Sequence, residues 1–139
     1  MPKESDKSNL TLLGRTESLP QEPSQDILET FSNQNRHRNY WIKLACEEFS
    51  SLCPVTGQPD YAKLHIEYVP ADLCVETKSL KFYLASYRNT QGFNEEIVNR
   101  IADDLTAVCD PKKLIVRGEF FARGGISLTV EAQHPEFEV

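Results

Sequence analysis

Along the middle and C-terminal parts of the chain, the spacing of apolar residues changes from one segment to the next. Apolar and polar residues alternate from Leu64 to Tyr68, a period of two that predicts a half-buried antiparallel strand ended by Pro70. The apolar run from Trp41 to Leu52 is less regular and predicts an extended strand with a slight bulge. Two strands joined by a loop are therefore expected to open the folded part of the chain.

Two stretches with helical spacing follow these strands. From Leu80 to Tyr87 apolar side chains recur every three to four residues, which predicts a short amphipathic helix closed by the polar residues up to Gly92. Asn94 is available as the N-cap of a second helix that ends near Cys109. The apolar stripe of this second helix consists of Phe93, Ile97, Ile101, Leu105 and Val108.

The C-terminal part of the chain predicts a β-hairpin. Apolar runs over Leu114–Phe121 and Ile126–Val130 flank Arg123-Gly124-Gly125, a glycine turn suited to joining two strands. The order is then strand, strand, helix, helix, strand, strand, which predicts an α+β fold with a four-stranded antiparallel sheet and both helices on one face. A sheet of this size leaves two edges open, so we expect assembly by edge pairing.

The N-terminal part differs in composition from the rest. Residues 1–38 are rich in Ser, Gln, Glu, Pro and Asn, and we interpret them as a partly disordered arm before a folded domain at residues 39–139. Disorder is expected for the first ten residues. The short apolar groups at Leu10–Leu13 and Ile27–Phe31 are expected to pack onto the core or onto a neighbouring subunit.

Length and charge limit what this domain can do. With 139 residues, 40% hydrophobic and 26% charged, the chain suits one globular domain of ordinary size. The formal net charge of −6 argues against general binding to nucleic-acid phosphates. No apolar stretch approaches the length of a signal-peptide core or a membrane span. We therefore expect a cytoplasmic protein with no nucleic-acid or membrane partner.

The four cysteines show no metal-binding spacing. No Cys-x-x-Cys pair is present, so a zinc site is not expected, and nothing indicates secretion, so reduced thiols are expected. Cys46 lies in a predicted strand and Cys109 at a predicted helix end, where each is best interpreted as a small buried apolar residue. The role of Cys74 stays open, because it adjoins a polar cluster.

Cys53 and Asp60 are the two residues whose side chains best suit catalysis. They lie seven positions apart, and the segment between them contains two prolines and a glycine that can fold the acid back towards the thiol. A thiolate can attack an electrophilic carbon and a carboxylic acid can deliver a proton, so the pair indicates covalent catalysis. The segment from Glu76 to Lys81 adds a carboxylate and two cations.

Three motifs in this order resemble one protein family. The segments Cys53–Asp60, Glu76–Lys81 and Gly92–Glu95, with Ile27–Phe31 in the arm, resemble the NADPH-dependent 7-cyano-7-deazaguanine reductases. These are the single-module nitrile reductases of queuosine biosynthesis, a tRNA-modification pathway. The resemblance implies the tunnelling fold, in which ββααββ subunits join their sheets into rings. It also implies a homo-oligomer, a decamer of two stacked pentamers, with active sites at the subunit interfaces.

The resemblance also implies roles for individual residues. Cys53 is similar to the nucleophile that forms a covalent thioimide with the nitrile carbon, and Asp60 to the acid that protonates the nitrogen. The positions that match the family's deazapurine-binding residues are Val75, Glu76, Thr77, Asn94 and Glu95. The positions that match its NADPH-binding residues are Lys78, Ser79, Lys81, Arg123 and Gly124. No metal ligand is implied.

This chemistry sets requirements on the two catalytic candidates. Cys53 should have a pKa lowered by cations or backbone N–H groups, and Asp60 should be shielded enough to stay protonated near neutrality. Reduction of a nitrile to an amine needs two hydrides, so the pocket should hold the imine away from water, with the N-terminal arm as a candidate lid. Because no Gly-x-Gly-x-x-Gly motif is present, we expect NADPH at a subunit interface.

The chain departs from the family pattern at two positions. Asn94 stands where most members have histidine, so a proton-relay role at this position is in doubt. Ile97 replaces a cysteine that in some relatives protects the nucleophile through a disulfide. For Glu76 and Glu95 the alternative role is that of a helix-start acid, and for Lys81 it is a solvated surface charge.

Three other functions are alternatives to the reductase. A related amidine-forming enzyme makes the same thioimide and resolves it with ammonia, but the segment Glu76–Lys81 resembles the cofactor-binding signature and argues against it. A zinc cyclohydrolase of the same fold lacks its metal-ligand spacing here. A ring-forming, non-catalytic purine-binding protein is the third alternative, and it predicts that Cys53→Ala changes only local packing.

Overall fold

The computed structural model describes residues 10–13 and 18–139. Six strands and two α-helices follow in chain order, with short 3-10 helices at Gln25–Ile27 and Ser86–Asn89. The elements are β1 (Thr30–Ser32), β2 (Ile42–Leu52), β3 (Pro59–Val69), β4 (Leu73–Val75), α1 (Thr77–Ala85), α2 (Asn94–Cys109), β5 (Lys113–Arg123) and β6 (Ile126–His134).

The main sheet has the predicted form. Its four strands are antiparallel in the order β2-β3-β5-β6, and the two helices are inserted between β3 and β5 in the chain. A second sheet was not predicted: β1 pairs with β4, with Phe31 opposite Cys74. This small sheet attaches the end of the N-terminal arm to the segment just before α1.

The predicted bulge in the first long strand lies between Cys46 and Phe49, where the register between β2 and β3 shifts. Two consecutive glutamates, Glu47 and Glu48, stand opposite the single residue Lys63, and both are exposed. The extra residue shifts the inward–outward alternation of β2 by one position. Phe49, and not Glu48, therefore faces the core, where it is 2% exposed.

Both helices pack on one face of the main sheet. Every second residue of β3 is buried on this face, and the same phase continues to Asp60 near the start of the strand. The core formed with α1 and α2 includes Leu64, Ile66, Tyr68, Leu80, Tyr83, Val98, Ile101 and Leu105. The opposite face carries charged side chains, such as Arg117, which pairs with Glu119 and Glu131 on neighbouring positions.

Gly118 allows α2 to lie close to β5. A Cβ atom at this position would lie 2.8 Å from the Phe120 ring and 2.9 Å from the Val98 side chain. These distances are too short for carbon atoms, so the close helix–sheet contact requires glycine here.

The start of α2 differs from the sequence prediction, and the N-terminal arm contributes to the core. Asn94 is not the N-cap of α2: it is the first residue of the helix, and Phe93 occupies the cap position with no side-chain hydrogen bond. The helix starts one residue earlier than predicted, and the bond from Gly92 N–H to Leu52 O in β2 fixes the chain just before it. In the arm, Leu28 lies in the core at 8% exposure, whereas the disorder expected for the first ten residues lies outside the described residues apart from Leu10.

In the part of the chain that the structure describes, no helix combines the length and apolar character needed to cross a bilayer. Over the same residues, no cluster of three or more His, Cys, Asp or Glu side chains is arranged to hold a metal ion.

Candidate active site

Cys53 lies in a tight loop at the end of the β2–β3 hairpin. Its backbone N–H donates to the carbonyl of Gln58 at 2.8 Å, and its carbonyl accepts from Gly57 N–H at 2.9 Å. Gly57 has φ +71°, a left-handed conformation that glycine adopts without strain. These backbone bonds fold the chain back, as the prolines and glycine predicted, and leave the thiol partly exposed.

The loop stabilises the thiolate form of Cys53. A hydrogen bond from the Thr56 hydroxyl, followed by bonds from the backbone N–H groups of Thr56 and Val55, lowers the pKa of Cys53 below its usual value. Burial and the negative charge of Asp60 act in the opposite direction. The backbone contribution was expected from the sequence, whereas the hydroxyl of Thr56 was not.

Asp60 lies in β3 and not in the loop. It is 9% exposed and shares the buried face of the strand with Ala62 and Leu64. Ser51 stands directly opposite it in β2 and is fully buried, and its hydroxyl has no hydrogen-bond partner among the described residues. Side chains opposite each other in an antiparallel pair point to the same face, so this hydroxyl lies beside the acid. The sequence analysis missed Ser51, although its position in phase with Phe49 marks it as inward-facing.

Arg123 forms an ion pair with Asp60. Its Nε lies 2.6 Å from Asp60 Oδ1, and its side chain also donates to the side chain of Gln58 and to the carbonyl of Pro59. At this distance the contact is a charge-assisted hydrogen bond that fixes the orientation of the carboxyl group. That Asp60 stays protonated near neutrality remains a prediction from the sequence.

The start of α2 is held beside Cys53 by the backbone of Leu52. Leu52 N–H donates to Thr90 O at 2.9 Å, and Leu52 O accepts from Gly92 N–H at 3.1 Å. This pairing brings Asn94 and Glu95 to the same end of the sheet as the thiol. The Asn94 side-chain oxygen is buried without a hydrogen-bond partner in the described ranges, and Glu95 is exposed. We call these residues the thiol set: Cys53, Asp60, Asn94, Glu95, Arg123 and Gly124.

Glu76 is organised by the start of α1. Its carboxylate accepts from the backbone N–H groups of Lys78 at 2.7 Å and Ser79 at 2.8 Å, so it serves as the N-cap. It is only 5% exposed, and the positive end of the helix compensates its charge. Each carboxylate oxygen still has a free lone pair that a ligand can use.

The backbone around Glu76 is tied to the N-terminal arm. Glu76 N–H donates to Glu29 O at 2.8 Å, Glu29 N–H donates to Ser79 Oγ at 2.9 Å, and Ser79 Oγ donates to Glu76 O at 2.7 Å. The Glu29 carboxylate accepts from the backbone N–H groups of Thr11 and Leu12. Ser79 is therefore fully buried, and its hydroxyl is used inside the fold.

The other predicted residues of this segment surround the same helix end. Val75 is buried in β4, Thr77 is exposed, and Lys78 lies 5.9 Å from the centre of the Phe82 ring. Lys81 is exposed and lines a groove of about 430 Å³ between β2 and α1. We call these residues the helix set: Val75, Glu76, Thr77, Lys78, Ser79 and Lys81.

Within one subunit the two sets lie at opposite ends of the sheet. Val75 N–H donates to the Tyr68 hydroxyl at 3.0 Å, which places the helix set near the end of β3, whereas Asp60 lies near its start. Strands rise about 3.3 Å per residue, so roughly 25 Å of strand separates Asp60 from Tyr68. One chain therefore does not bring Cys53 together with Glu76.

Comparison with known proteins identifies the family. Residues 59–138 match the model of the QueF-like protein family. A protein of Streptococcus thermophilus named NADPH-dependent 7-cyano-7-deazaguanine reductase is 49% identical over 129 residues, covering 92% of this chain and 79% of the relative. The chain belongs to the 7-cyano-7-deazaguanine reductase family. The resemblance predicted from its three motifs is thereby confirmed.

Further reductases of this family agree with the assignment. Proteins of the same name from Magnetococcus marinus and Bacteroides fragilis are 50% and 48% identical, covering 81% and 88% of this chain and 88% and 81% of the relatives. The solved structure of an archaeosine synthase QueF-Like in its apo form has a TM-score of 0.66 at 20% identity, and it covers 70% of this chain and 96% of that chain. At this identity the likeness shows a shared fold only.

Proposed function

We propose that this protein reduces the nitrile of 7-cyano-7-deazaguanine to the aminomethyl group with NADPH, as a step of queuosine biosynthesis. Relatives at 48–50% identity carry the name of this activity. The structural observation that carries the proposal is the pairing of Cys53, whose pKa is lowered by its loop, with the buried Asp60. A soft sulfur nucleophile beside a proton carrier suits addition to a nitrile.

The first step of the proposed reaction is addition of sulfur to the nitrile. Asp60 takes the Cys53 thiol proton, and the thiolate forms a C–S bond to the nitrile carbon. One π bond of the nitrile breaks, its electron pair moves to nitrogen, and Asp60 returns the proton there. The product is a thioimide on Cys53, and no proton is gained or lost overall. Asp60 thus acts as a base and then as an acid.

Residues of this chain suit an NADPH molecule at the subunit boundary. Lys78 and Lys81 supply cations for phosphates, and a Cβ added at Gly124 would meet no atom within 4 Å, so the turn is open to a ligand. NADPH, when bound, supplies the hydride for each of two reductions, which with two protons convert the nitrile to the amine. The fully buried Ser79 has both its N–H and its hydroxyl bonded inside the fold, so it would serve the site by holding the helix start.

The deazapurine is proposed to bind between carboxylates. Adjacent ring N–H groups suit the Glu76 carboxylate, which the N-terminus of α1 holds in place, and Glu95 is open to solvent and available. The unpaired buried oxygen of Asn94 can accept one further hydrogen bond from the ring. Val75 and Thr77 flank the first carboxylate.

Because the thiol set and the helix set lie at opposite ends of one subunit, we propose that each site combines the two sets from neighbouring subunits. Both edge strands of the main sheet, β2 and β6, are open for pairing, and Ile126 on β6 is 75% exposed. Edge pairing around a symmetry axis closes into a ring. The decamer of two stacked pentamers and the cytoplasmic location are predictions from the sequence.

The assay for this function follows NADPH absorbance with 7-cyano-7-deazaguanine as substrate. We expect two NADPH oxidised per amine formed, and a covalent adduct in the mass spectrum that disappears in Cys53→Ala. An ammonia-dependent product without NADPH oxidation would instead identify an amidine-forming enzyme. No adduct and no turnover in the wild type would leave the non-catalytic binding protein as the explanation.

A further inference from the structure

The guanidinium of Arg123 is committed to the segment that carries Asp60. Nε contacts Asp60 Oδ1, Nη1 donates to Gln58 Oε1 at 3.1 Å, and Nη2 donates to Pro59 O. Each of the three guanidinium nitrogen atoms thus contacts a different one of three successive residues in the hairpin. These contacts use three of the five N–H donors of the guanidinium, so two remain for a cofactor phosphate.

The geometry of the second hairpin aims Arg123 at this segment. The register between β5 and β6 shifts between Phe120 and Arg123, and the turn that follows contains Gly124 and Gly125 at φ +58° and +82°. A bulge redirects side chains at a strand end, and two left-handed glycines allow the chain to reverse directly after the arginine. The turn therefore fixes Arg123 at the end of the sheet where Cys53 and Asp60 lie.

This ion pair differs from an ordinary surface pair in its burial. The Asp60 side chain is 11% exposed, whereas that of Arg123 is 42% exposed, so the arginine supplies the charge that a nearly buried carboxylate needs. The fully buried Ser51 is a further polar neighbour, and a neutral hydroxyl cannot balance the charge. Loss of Arg123 would leave an uncompensated carboxylate next to the nucleophile.

We propose that Arg123 is a positioning residue for nitrile addition: its contacts with Gln58, Pro59 and Asp60 hold the carboxyl group of Asp60 oriented so that it takes the Cys53 proton and passes it to the nitrile nitrogen. This proposal rests on the proposed function. It gives Arg123 a task before any hydride transfer, in addition to the cofactor contact predicted from the sequence. The step needs no reagent beyond the thiol, the carboxylate and the nitrile.

The test measures adduct formation without NADPH in the full-length assembled protein. The variants are Arg123→Gln, which removes the charge, and Arg123→Lys, which keeps it. Arg117→Gln is the matched control, since Arg117 lies on the same strand in ion pairs with Glu119 and Glu131. We expect Arg123→Gln to slow thioimide formation by about 10- to 100-fold and Arg123→Lys to restore part of the rate, with Arg117→Gln unchanged.

A double-mutant cycle separates positioning of Asp60 from other effects. In an Asp60→Asn background, Arg123→Gln should cause no further loss, because the group on which Arg123 acts is gone. Unchanged adduct formation in Arg123→Gln, with weaker NADPH binding in a direct titration, would overturn the proposal and leave a cofactor contact only. An undiminished effect of Arg123→Gln in the Asp60→Asn background would also overturn it. Failure of the wild type to form an adduct would count against the proposed function itself.

Discussion

Ser51 stands directly opposite Asp60 in the ladder between β2 and β3, and both side chains are buried on the face that carries the helices. The Ser51 hydroxyl has no hydrogen-bond partner within the described part of the chain. A buried polar group without a partner costs free energy, so such a group is unusual unless a ligand or a change of protonation completes it. This arrangement indicates that the Ser51 hydroxyl forms its hydrogen bond with Asp60 or with bound substrate during the reaction.

Ser51→Ala should separate activity from stability. The buried hydroxyl has no partner among the described residues, so its removal should raise the free energy of unfolding by about 1 kcal/mol. Adduct formation should slow by about 2- to 10-fold, the loss expected for one neutral hydrogen bond. Urea unfolding and adduct kinetics measure the two effects, and a large loss of stability with unchanged kinetics would show that the hydroxyl has a structural role.

Thr56→Val should make Cys53 less reactive near neutral pH. The Thr56 hydroxyl is the largest cause of the lowered pKa of Cys53, so its loss destabilises the thiolate and raises that pKa. The rate of alkylation by iodoacetamide should then rise with pH along a curve displaced to higher pH than in the wild type. Thr56→Ser keeps the hydroxyl and should keep the wild-type curve. Coincident curves for Thr56→Val and wild type would show that the backbone N–H groups suffice.

Mixing two inactive variants should restore activity if sites are shared between subunits. Cys53→Ala lacks a working thiol set and Glu76→Gln lacks a working helix set, but a mixed assembly contains some sites with both sets intact. With random mixing after dissociation and reassembly, about a quarter of the sites should be complete. Recovery of NADPH oxidation to about that fraction would support sharing, whereas no recovery in verified mixed assemblies would contradict it.

Gly118→Ala should destabilise the fold without touching the site. The new methyl group would press on Val98 and Phe120, so the free energy of unfolding should fall by about 1–3 kcal/mol. Denaturant unfolding at fixed protein concentration measures the change. Lys63→Ala, at an exposed position of β3, is the control and should stay within about 0.5 kcal/mol. Equal stability of both variants would mean that the helix shifts away at little cost.

Periodicity was enough to predict the main sheet and both helices. The alternation around Leu64 is strict because β3 is a central strand with one face on the helices, and the stripe from Ile97 to Leu105 is regular because α2 buries one side. The small β1–β4 sheet was not predictable from pattern. Its strands have three residues each, too few to show a period.

The contacts of the candidate site were harder to predict than its residues. Arg123 and Asp60 are 63 positions apart, and their meeting depends on the register shift near the end of β5, which no local pattern reports. The N-cap prediction for Asn94 was wrong by one residue, because the bonds between Leu52 and Gly92 decide where the helix starts. Local helix propensity does not predict helix boundaries that depend on such long-range pairing.

The cyclic set of hydrogen bonds among Glu29, Glu76 and Ser79 limits how far the N-terminus can be truncated without disturbing α1. Deletion of the N-terminus through Glu29 would remove the acceptor of the Glu76 N–H. It would also remove the N–H that donates to the Ser79 hydroxyl at the start of α1. Deletions and tags are therefore safest upstream of Thr11, because Thr11 and Leu12 bind the Glu29 side chain and the Glu29 backbone holds the start of α1.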